Sequence, residues 1–111
     1  MDRRPLRVQK LVREELSIII LRELEFGGAL ATITEVEVDK KLENARVKFS
    51  VLPADATERI FKILENNTGR LQHLLAKKLN IKPMPRIRFE IDRGPENAAR
   101  VEKALLEDNN K

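Results

Sequence analysis

Residues 69–93 read GRLQHLLAKKLNIKPMPRIRFEIDR, and this stretch predicts a helix, a turn and a strand in succession. Leucines at helical spacing predict a helix over residues 70–79 with one apolar face. Pro83 and Pro85 then bracket a turn. A strand follows, because apolar and charged residues alternate strictly, and its buried positions are Ile87, Phe89 and Ile91. A strand with one apolar face needs a covering layer, so the fold class is expected to be α+β.

The residues before this stretch predict four further elements. A helix runs from Pro5 to about Glu25, and the Gly27-Gly28 pair ends it. Its apolar stripe is expected to hold Val8, Leu11, Val12, Leu16, Ile19 and Ile20. Two strands follow over residues 29–39 and 45–51, and the apolar phase of the first changes near Thr34-Glu35, which predicts a β-bulge. A second helix covers residues 56–65.

The predicted order is therefore α-β-β-α-α-β, a two-layer sandwich in which a three-stranded sheet packs on helices, with an interrupted helix at Asn67-Gly69. This order is similar to the type II K-homology fold, an RNA-binding architecture. Residues 1–93 form the predicted domain, and residues 94–111 form a polar C-terminal tail with a weakly helical pattern. The solvent face of the sheet is expected to present Arg46, Lys48, Arg86 and Arg88.

Positive charge is concentrated in the opening stretch. Residues 69–93 carry seven cations and two anions, a balance of +5, while the whole chain of 111 residues carries only +4. Concentrated charge attracts a polyanion, and nucleic acid is the expected one. The alternative is a solvated basic face that serves solubility alone.

The composition argues against an enzyme and against a metal or cofactor site. The chain has no cysteine, one histidine (His73) and two serines (Ser17 and Ser50), which do not assemble a nucleophile with its base. No Gly-rich phosphate loop is present. The longest apolar run, Ile18–Leu21, is too short for a membrane span, and the charged start of the chain lacks the apolar run of a signal peptide. Together with the absence of cysteine, this leads us to expect a cytoplasmic protein. We also expect the protein to be a monomer.

Motifs along most of the chain resemble ribosome-binding factor A, a family of bacterial small-subunit assembly factors. The resemblance covers roughly residues 4–106 and begins with Arg4-Pro5-x-Arg7-Val8. It continues through Thr32-Ile33-x-x-Val36-x-Val38. The most specific part is the passage from helix to strand, with Gly69, Leu74-Leu75, Leu79, Ile81-Lys82, Pro85, Ile87, Phe89 and Asp92. Asn67 stands where the family usually has alanine in its Ala-x-Gly kink.

The resemblance implies a function and partners. It implies a non-catalytic factor that binds the small ribosomal subunit and its precursor RNA, assists late maturation and RNA processing, and supports growth in the cold. It also implies displacement by a maturation GTPase or by the initiation machinery. A general nucleic-acid-binding domain, or a protein-interaction module that uses a sheet edge, are the alternatives.

The expected RNA contacts lie on two helices, a turn and a strand. A helix that starts near Gly69 offers a seat for phosphate, although Gly69 also fits an ordinary helix stop. Asn67 or Thr68 is expected to cap that helix. Arg70, His73 and Lys77 form a polar stripe on it. The full set of candidate residues is Arg4, Arg7, Lys10, Gly69, Arg70, His73, Lys77, Lys78, Lys82, Arg86 and Arg88.

Overall fold

The computed structural model describes residues 3–94, so the predicted tail lies outside the described residues from residue 95 onward. The predicted element order and the two-layer α+β architecture are confirmed. The elements are α1 (Arg4–Glu23), β1 (Leu30–Val38), β2 (Asn44–Leu52), a short 3-10 turn (Ala54–Ala56), α2 (Thr57–Asn66), α3 (Thr68–Leu79) and β3 (Arg86–Ile91).

Helix α1 begins with a proline in its first turn and buries one stripe of residues, Val8, Val12, Leu16, Ile19 and Ile20. Leu11 was predicted to lie on this stripe, but it is 39% exposed, because it lies about 100° around the helix from Val12. The helix ends two residues earlier than predicted, where Leu24 becomes extended. Gly27 and Gly28 then take the positive φ angles of +58° and +88° that the turn into β1 requires.

The sheet has the order β1-β2-β3, with β1 antiparallel and β3 parallel to β2. The pairing of β1 with β2 shifts register between Ile33 and Glu35, which confirms the predicted bulge. The extra residue, Thr34, lets Ile33 and Val36 both face the core although they are three positions apart.

The core lies between the sheet and the helices. Helix α1 packs on β1 and α3, while α2 packs on β3 and β2. Phe49, in the central strand, is 1% exposed. Its ring stacks on Phe61 of α2 at 5.9 Å and meets the edge of Phe89 of β3 at 6.2 Å. Within residues 3–94, no helix combines the length and the apolar character that crossing a bilayer requires.

A one-residue break at Asn67 separates α2 from α3, as predicted, but the predicted cap is wrong. Neither Asn67 nor Thr68 caps α3 with its side chain. Instead, the Asn67 side-chain amide donates to the carbonyl of Ile63 at 2.7 Å, and the Thr68 hydroxyl donates to that of Leu64 at 2.9 Å. Both side chains therefore add hydrogen bonds to carbonyls in the last turn of α2, which also accept the backbone amide of Asn67.

A carboxylate ties the end of β3 to the bulge of β1. The Thr34 hydroxyl donates to Oδ2 of Asp92 at 2.6 Å, and the Gly94 amide donates to Oδ1 at 2.9 Å. These hydrogen bonds, that from Thr34 above all, lower the pKa of Asp92 below its ordinary value of 3.8.

We expect Thr34→Val to cost more stability at pH 7 than at pH 2. A carboxyl group with a lowered folded-state pKa stabilises the fold above its unfolded-state pKa, and this contribution is lost as the pH falls through the folded-state pKa. The variant removes the main donor, so its deficit in unfolding free energy should shrink on acidification. Denaturant titrations at several pH values test this, with Thr32→Val, at an exposed position of the same strand, as the control. A deficit that stays constant with pH would contradict the expectation.

Candidate nucleic-acid interface

Several elements begin or end together at one end of the sheet. Arg86 opens β3 opposite Asn44, the first residue of β2, and its amide donates to the carbonyl of Glu43 at 2.9 Å. The side-chain oxygen of Gln9 in α1 accepts the amide of Val38, the last residue of β1, at 3.0 Å. The start of α1, the β1–β2 turn, the end of α3 and the start of β3 therefore meet at this end.

Seven exposed cations lie on these elements, and we call them the basic end. None of the seven forms an ion pair with another residue among 3–94. Like charges that gather without carboxylate partners create a positive potential that favours a polyanion. The members are Arg7, Lys40, Lys41, Lys77, Lys78, Lys82 and Arg86.

Two carboxylates share the β1–β2 turn with the basic end. Asp39 accepts the side-chain amide of Asn44 at 3.0 Å and the backbone amide of Glu43 at 2.7 Å. These hydrogen bonds, that from Asn44 first, lower the pKa of Asp39. The Asp39 carboxylate thus stabilises the turn by accepting these hydrogen bonds. The side chain of Glu43 is exposed beside it.

Lys40 and Lys41 belong to the basic end, although sequence reasoning did not single them out. They lie in the turn between β1 and β2, far along the chain from the cations of residues 69–93. The signal that would have found them is the parallel pairing of β2 with β3, because it places the start of β3 next to this turn.

One glutamine joins α3 to the start of β3 by two hydrogen bonds. The side-chain amide of Gln72 donates to the carbonyl of Pro85 at 2.8 Å, and its oxygen accepts the amide of Ile87 at 2.7 Å. Asn80 ends α3 in the left-handed conformation, which asparagine tolerates. These contacts position the loop that carries Lys82 between α3 and β3.

The predicted Gly69–Arg70 site lies at the start of α3, beside the end of α1. Arg70 donates to Oε2 of Glu23, at the end of α1, with a nitrogen–oxygen distance of 2.6 Å. The Arg70 side chain is 55% exposed, so the pair remains accessible to solvent. A phosphate at Arg70 has to compete with the Glu23 carboxylate, which no sequence pattern indicated.

Four candidate residues lie outside both the basic end and the start of α3. Arg4 opens α1, Lys10 follows further along that helix, and His73 lies in the middle of α3. Arg88 points outward from β3, on the sheet face opposite the helices. All eleven candidate residues are exposed. Five of them belong to the basic end, and the other six lie along α1, at the start and in the middle of α3, and on the outer sheet face.

The outer sheet face carries the four expected cations, but glutamates pair with two of them. Arg46 forms ion pairs with Glu37 at 3.1 Å and Glu90 at 3.0 Å, and Lys48 pairs with Glu35 at 3.5 Å. The register explains this, because it sets glutamates of β1 directly opposite both cations of β2. Among the four cations expected here, only the two of β3 lack an ion pair within residues 3–94.

Gly69 has no conformational requirement for glycine, because its φ is not positive and a Cβ atom would meet nothing within 4 Å. We therefore expect Gly69→Ala to leave the stability unchanged or to raise it by up to about 1 kcal/mol. Gly28→Ala is the matched control, since its φ of +88° should make the same change cost about 1–2 kcal/mol. Urea titrations measure both, and equal losses in the two variants would contradict the expectation.

No cluster of three metal-ligating side chains occurs in the part of the chain that the structure describes. The chemistry available at the basic end is that of ammonium and guanidinium groups, which bind phosphate oxygens by charge and by hydrogen bonds.

Comparison with known proteins gives concordant matches. The family model described as "Ribosome-binding factor A" matches residues 4–105. A protein of that name from Opitutus terrae is 31% identical over 108 residues, covering 96% of this chain and 88% of its own.

Two structures of known proteins are similar in fold. The crystal structure of ribosome-binding factor A from Thermus thermophilus has a TM-score of 0.65 and 20% identity, and the match covers 81% of this chain and 98% of that one. A homology model of the same factor from T. thermophilus, fitted into a cryo-EM map of its complex with the 30S subunit, has a TM-score of 0.61 and 21% identity. That match covers 80% of this chain and 91% of the other.

Proposed function

The chain belongs to the ribosome-binding factor A family, and we propose that it is a non-catalytic factor that binds the small ribosomal subunit and its precursor RNA. A structural neighbour is described in complex with the 30S subunit, which supports the choice of the small subunit as the partner. We further propose that the protein acts in the cytoplasm as a monomer during late maturation of that subunit. In this role it would assist RNA processing and growth in the cold.

The single observation that carries the RNA contact is the basic end. Seven exposed cations on five neighbouring segments form no ion pair inside residues 3–94, so their charge is available to phosphate. Arg88, His73, Lys10 and Arg4 extend the proposed contact along the neighbouring surfaces. Gly69 and Arg70 would contribute only where RNA reaches the start of α3 and displaces Glu23 from Arg70.

This mode of binding also provides a way for the factor to be released from the small subunit. Contacts between exposed cations and phosphates are individually weak, because each pair is solvated and screened by salt. A maturation GTPase or the initiation machinery that covers the same RNA could remove the factor by replacing a few of these contacts. This displacement is part of the proposal.

Binding to purified small subunits should weaken steeply with salt. Each neutralised phosphate contributes about −0.9 to the log–log slope on duplex DNA, and about three contacts give a loss of at least tenfold between 50 and 200 mM salt. Sedimentation of the chain with small subunits over a salt series measures the slope. An affinity that does not change with salt would contradict the electrostatic contact.

An excess of unrelated structured RNA separates a specific factor from a general nucleic-acid binder. The proposed factor should remain on small subunits in the presence of this competitor, whereas a general binder should be displaced in proportion to the added RNA. Displacement of that kind would replace the proposed function by the broader one.

A further inference from the structure

Strand β1 forms one edge of the sheet, and no strand pairs with that edge among residues 3–94. Phe49 of β2 directs its backbone toward β3, because its carbonyl accepts the amide of Asp92 at 2.7 Å. In an antiparallel pair, the N–H and C=O of one residue point to the same side. Ile33, which pairs with Phe49, therefore directs both groups away from β2, and so does Ala31 two positions earlier. These backbone groups are available to an added strand.

The free stretch of this edge is short. At the end of β1, Gln9 of α1 accepts the amide of Val38 at 3.0 Å, so the helix already satisfies this edge amide. The bulge at Thr34 interrupts the strand in its middle. Bulges and covered ends protect a sheet edge against unselective pairing. An added strand therefore forms ladder hydrogen bonds with residues 31–33 and takes the rest of its affinity from side-chain contacts.

An apolar cavity of about 200 Å³ opens beside this free stretch, between α1 and β1. Phe49 and Phe89 of the core line it, together with Leu21 of α1 and Leu30 of β1. Leu21 and Leu30 are 69% and 52% exposed, so the opening has an apolar rim. An apolar cavity of about 150 Å³ suffices to bind benzene, and this one therefore accepts the ring of a phenylalanine or the side chain of a leucine.

Cations lie farther along the same edge, toward the start of α1. Lys10 and Arg13 of α1 line a second opening there, next to Val36 of β1. Both cations are exposed, and neither forms an ion pair within the described residues. Glu35 borders this opening as well, but it pairs with Lys48 at 3.5 Å. The edge is thus apolar near the start of β1 and basic beyond the bulge.

We propose that this edge binds an extended segment of a partner protein, antiparallel to β1, that carries a large apolar side chain and a carboxylate on one face. The apolar side chain lies opposite Ala31 and fills the cavity. The carboxylate lies opposite Val36, where Lys10 and Arg13 bind it by charge. Because the bulge adds one residue to β1, these positions are four apart in the partner, which places both side chains on the same face.

The partner pattern is therefore an acidic residue followed, four positions later, by a large apolar one. The antiparallel direction gives the more stable ladder per residue and is the commoner one. In strand addition of this kind, main-chain hydrogen bonds supply affinity, and pockets for alternate side chains supply selectivity. This surface shares only Lys10 with the proposed RNA contact, so the inference goes beyond the proposed function and does not rest on it.

Two labelled peptides test the proposal on the full chain by fluorescence anisotropy, without any use of RNA. The peptide STEKVTFTS carries glutamate and phenylalanine four positions apart on one face. The peptide STEKVTTFS has the same composition, but its phenylalanine is moved to the other face. We expect the first peptide to bind at least about tenfold more tightly. Equal affinities, or no binding of either peptide at millimolar concentration, would overturn the proposal.

Variants of α1 separate the cavity from the charge. Leu21→Asp should weaken binding of STEKVTFTS at least about tenfold. Ile18→Asp should not, because Ile18 is 54% exposed on the same helix and does not line the cavity. Arg13→Gln should also weaken binding of STEKVTFTS, but it should not affect STQKVTFTS, whose glutamine lacks the charge. Equal effects of the two aspartate variants, or an equal effect of Arg13→Gln on both peptides, would overturn the proposal.

Amide hydrogen exchange tests the backbone pairing directly. Saturation with STEKVTFTS should slow exchange of the Ile33 amide at least about tenfold. The Val38 amide is the control and should change little, because it is already bonded to Gln9. An Ile33 amide that exchanges equally fast with and without the peptide would overturn the proposal. Slowing that follows protein concentration in the absence of peptide would also overturn it, in favour of a second copy of the chain.

Discussion

Replacement of Phe49 by alanine is expected to lower the free energy of unfolding by about 3–5 kcal/mol, as large-to-small changes of buried aromatic residues do. Phe49 is 1% exposed in the central strand, and its ring contacts those of Phe61 and Phe89. The truncation therefore leaves a cavity between both layers of the fold. The total stability of a small domain is about 5–15 kcal/mol, so the variant should be partly unfolded at modest denaturant concentrations.

Leu52→Ala is the control for this change, because Leu52 lies in the same strand and is 67% exposed. Its effect should stay within about 0.5 kcal/mol. Guanidinium titrations followed by circular dichroism measure both variants. A Phe49→Ala protein with the midpoint of the unmodified chain would show that the inward phase of β2 is assigned incorrectly.

Removal of two cations from the basic end is expected to weaken binding to small subunits by at least about tenfold, or about 1.4 kcal/mol. Lys77→Gln with Lys82→Gln eliminates charge at the end of α3 and in the loop that follows, where both side chains are exposed. If each lysine meets a phosphate, the log–log salt slope should also become shallower by about two. The melting temperature should hardly change, because both positions are at the surface.

Lys62→Glu is the matched control, since it changes the net charge by the same two units on α2 and away from the proposed contact. It should bind nearly as the unmodified chain does. Equal losses in the two variants would show that affinity follows net charge alone, and the basic end would then have no special role.

The sequence predicted the fold well where one periodicity dominates. The alternation in residues 86–91 and the phase change near Thr34 correspond to β3 and to the bulge in β1. These features are local, because the period of a strand is 2 and a bulge adds one residue. The prediction for Leu11 was wrong because Leu11 and Val12 are adjacent in the chain and both fit a helical spacing. Spacing alone does not show which of the two faces the core, and the structure buries Val12.

The candidate site was harder to predict, because its geometry depends on pairs that are distant in the chain. Glu23 and Arg70 are 47 positions apart, and Arg46 and Glu90 are 44 apart. No periodicity relates such residues. Lys40 and Lys41 lie near the start of β3 because β2 and β3 pair in parallel, and the sequence pattern does not show this pairing. The caps at Asn67 and Thr68 failed because both side chains donate hydrogen bonds back into α2.

The most direct test of the central proposal is the position of the chain in a ribosome profile of lysate from cells that produce it. We expect the chain to sediment with free small subunits at low salt and to be absent from translating ribosomes. It should leave the small subunits when the salt concentration is raised. A chain that stays at the top of the gradient, or that follows translating ribosomes as closely as free small subunits, would contradict the proposed function.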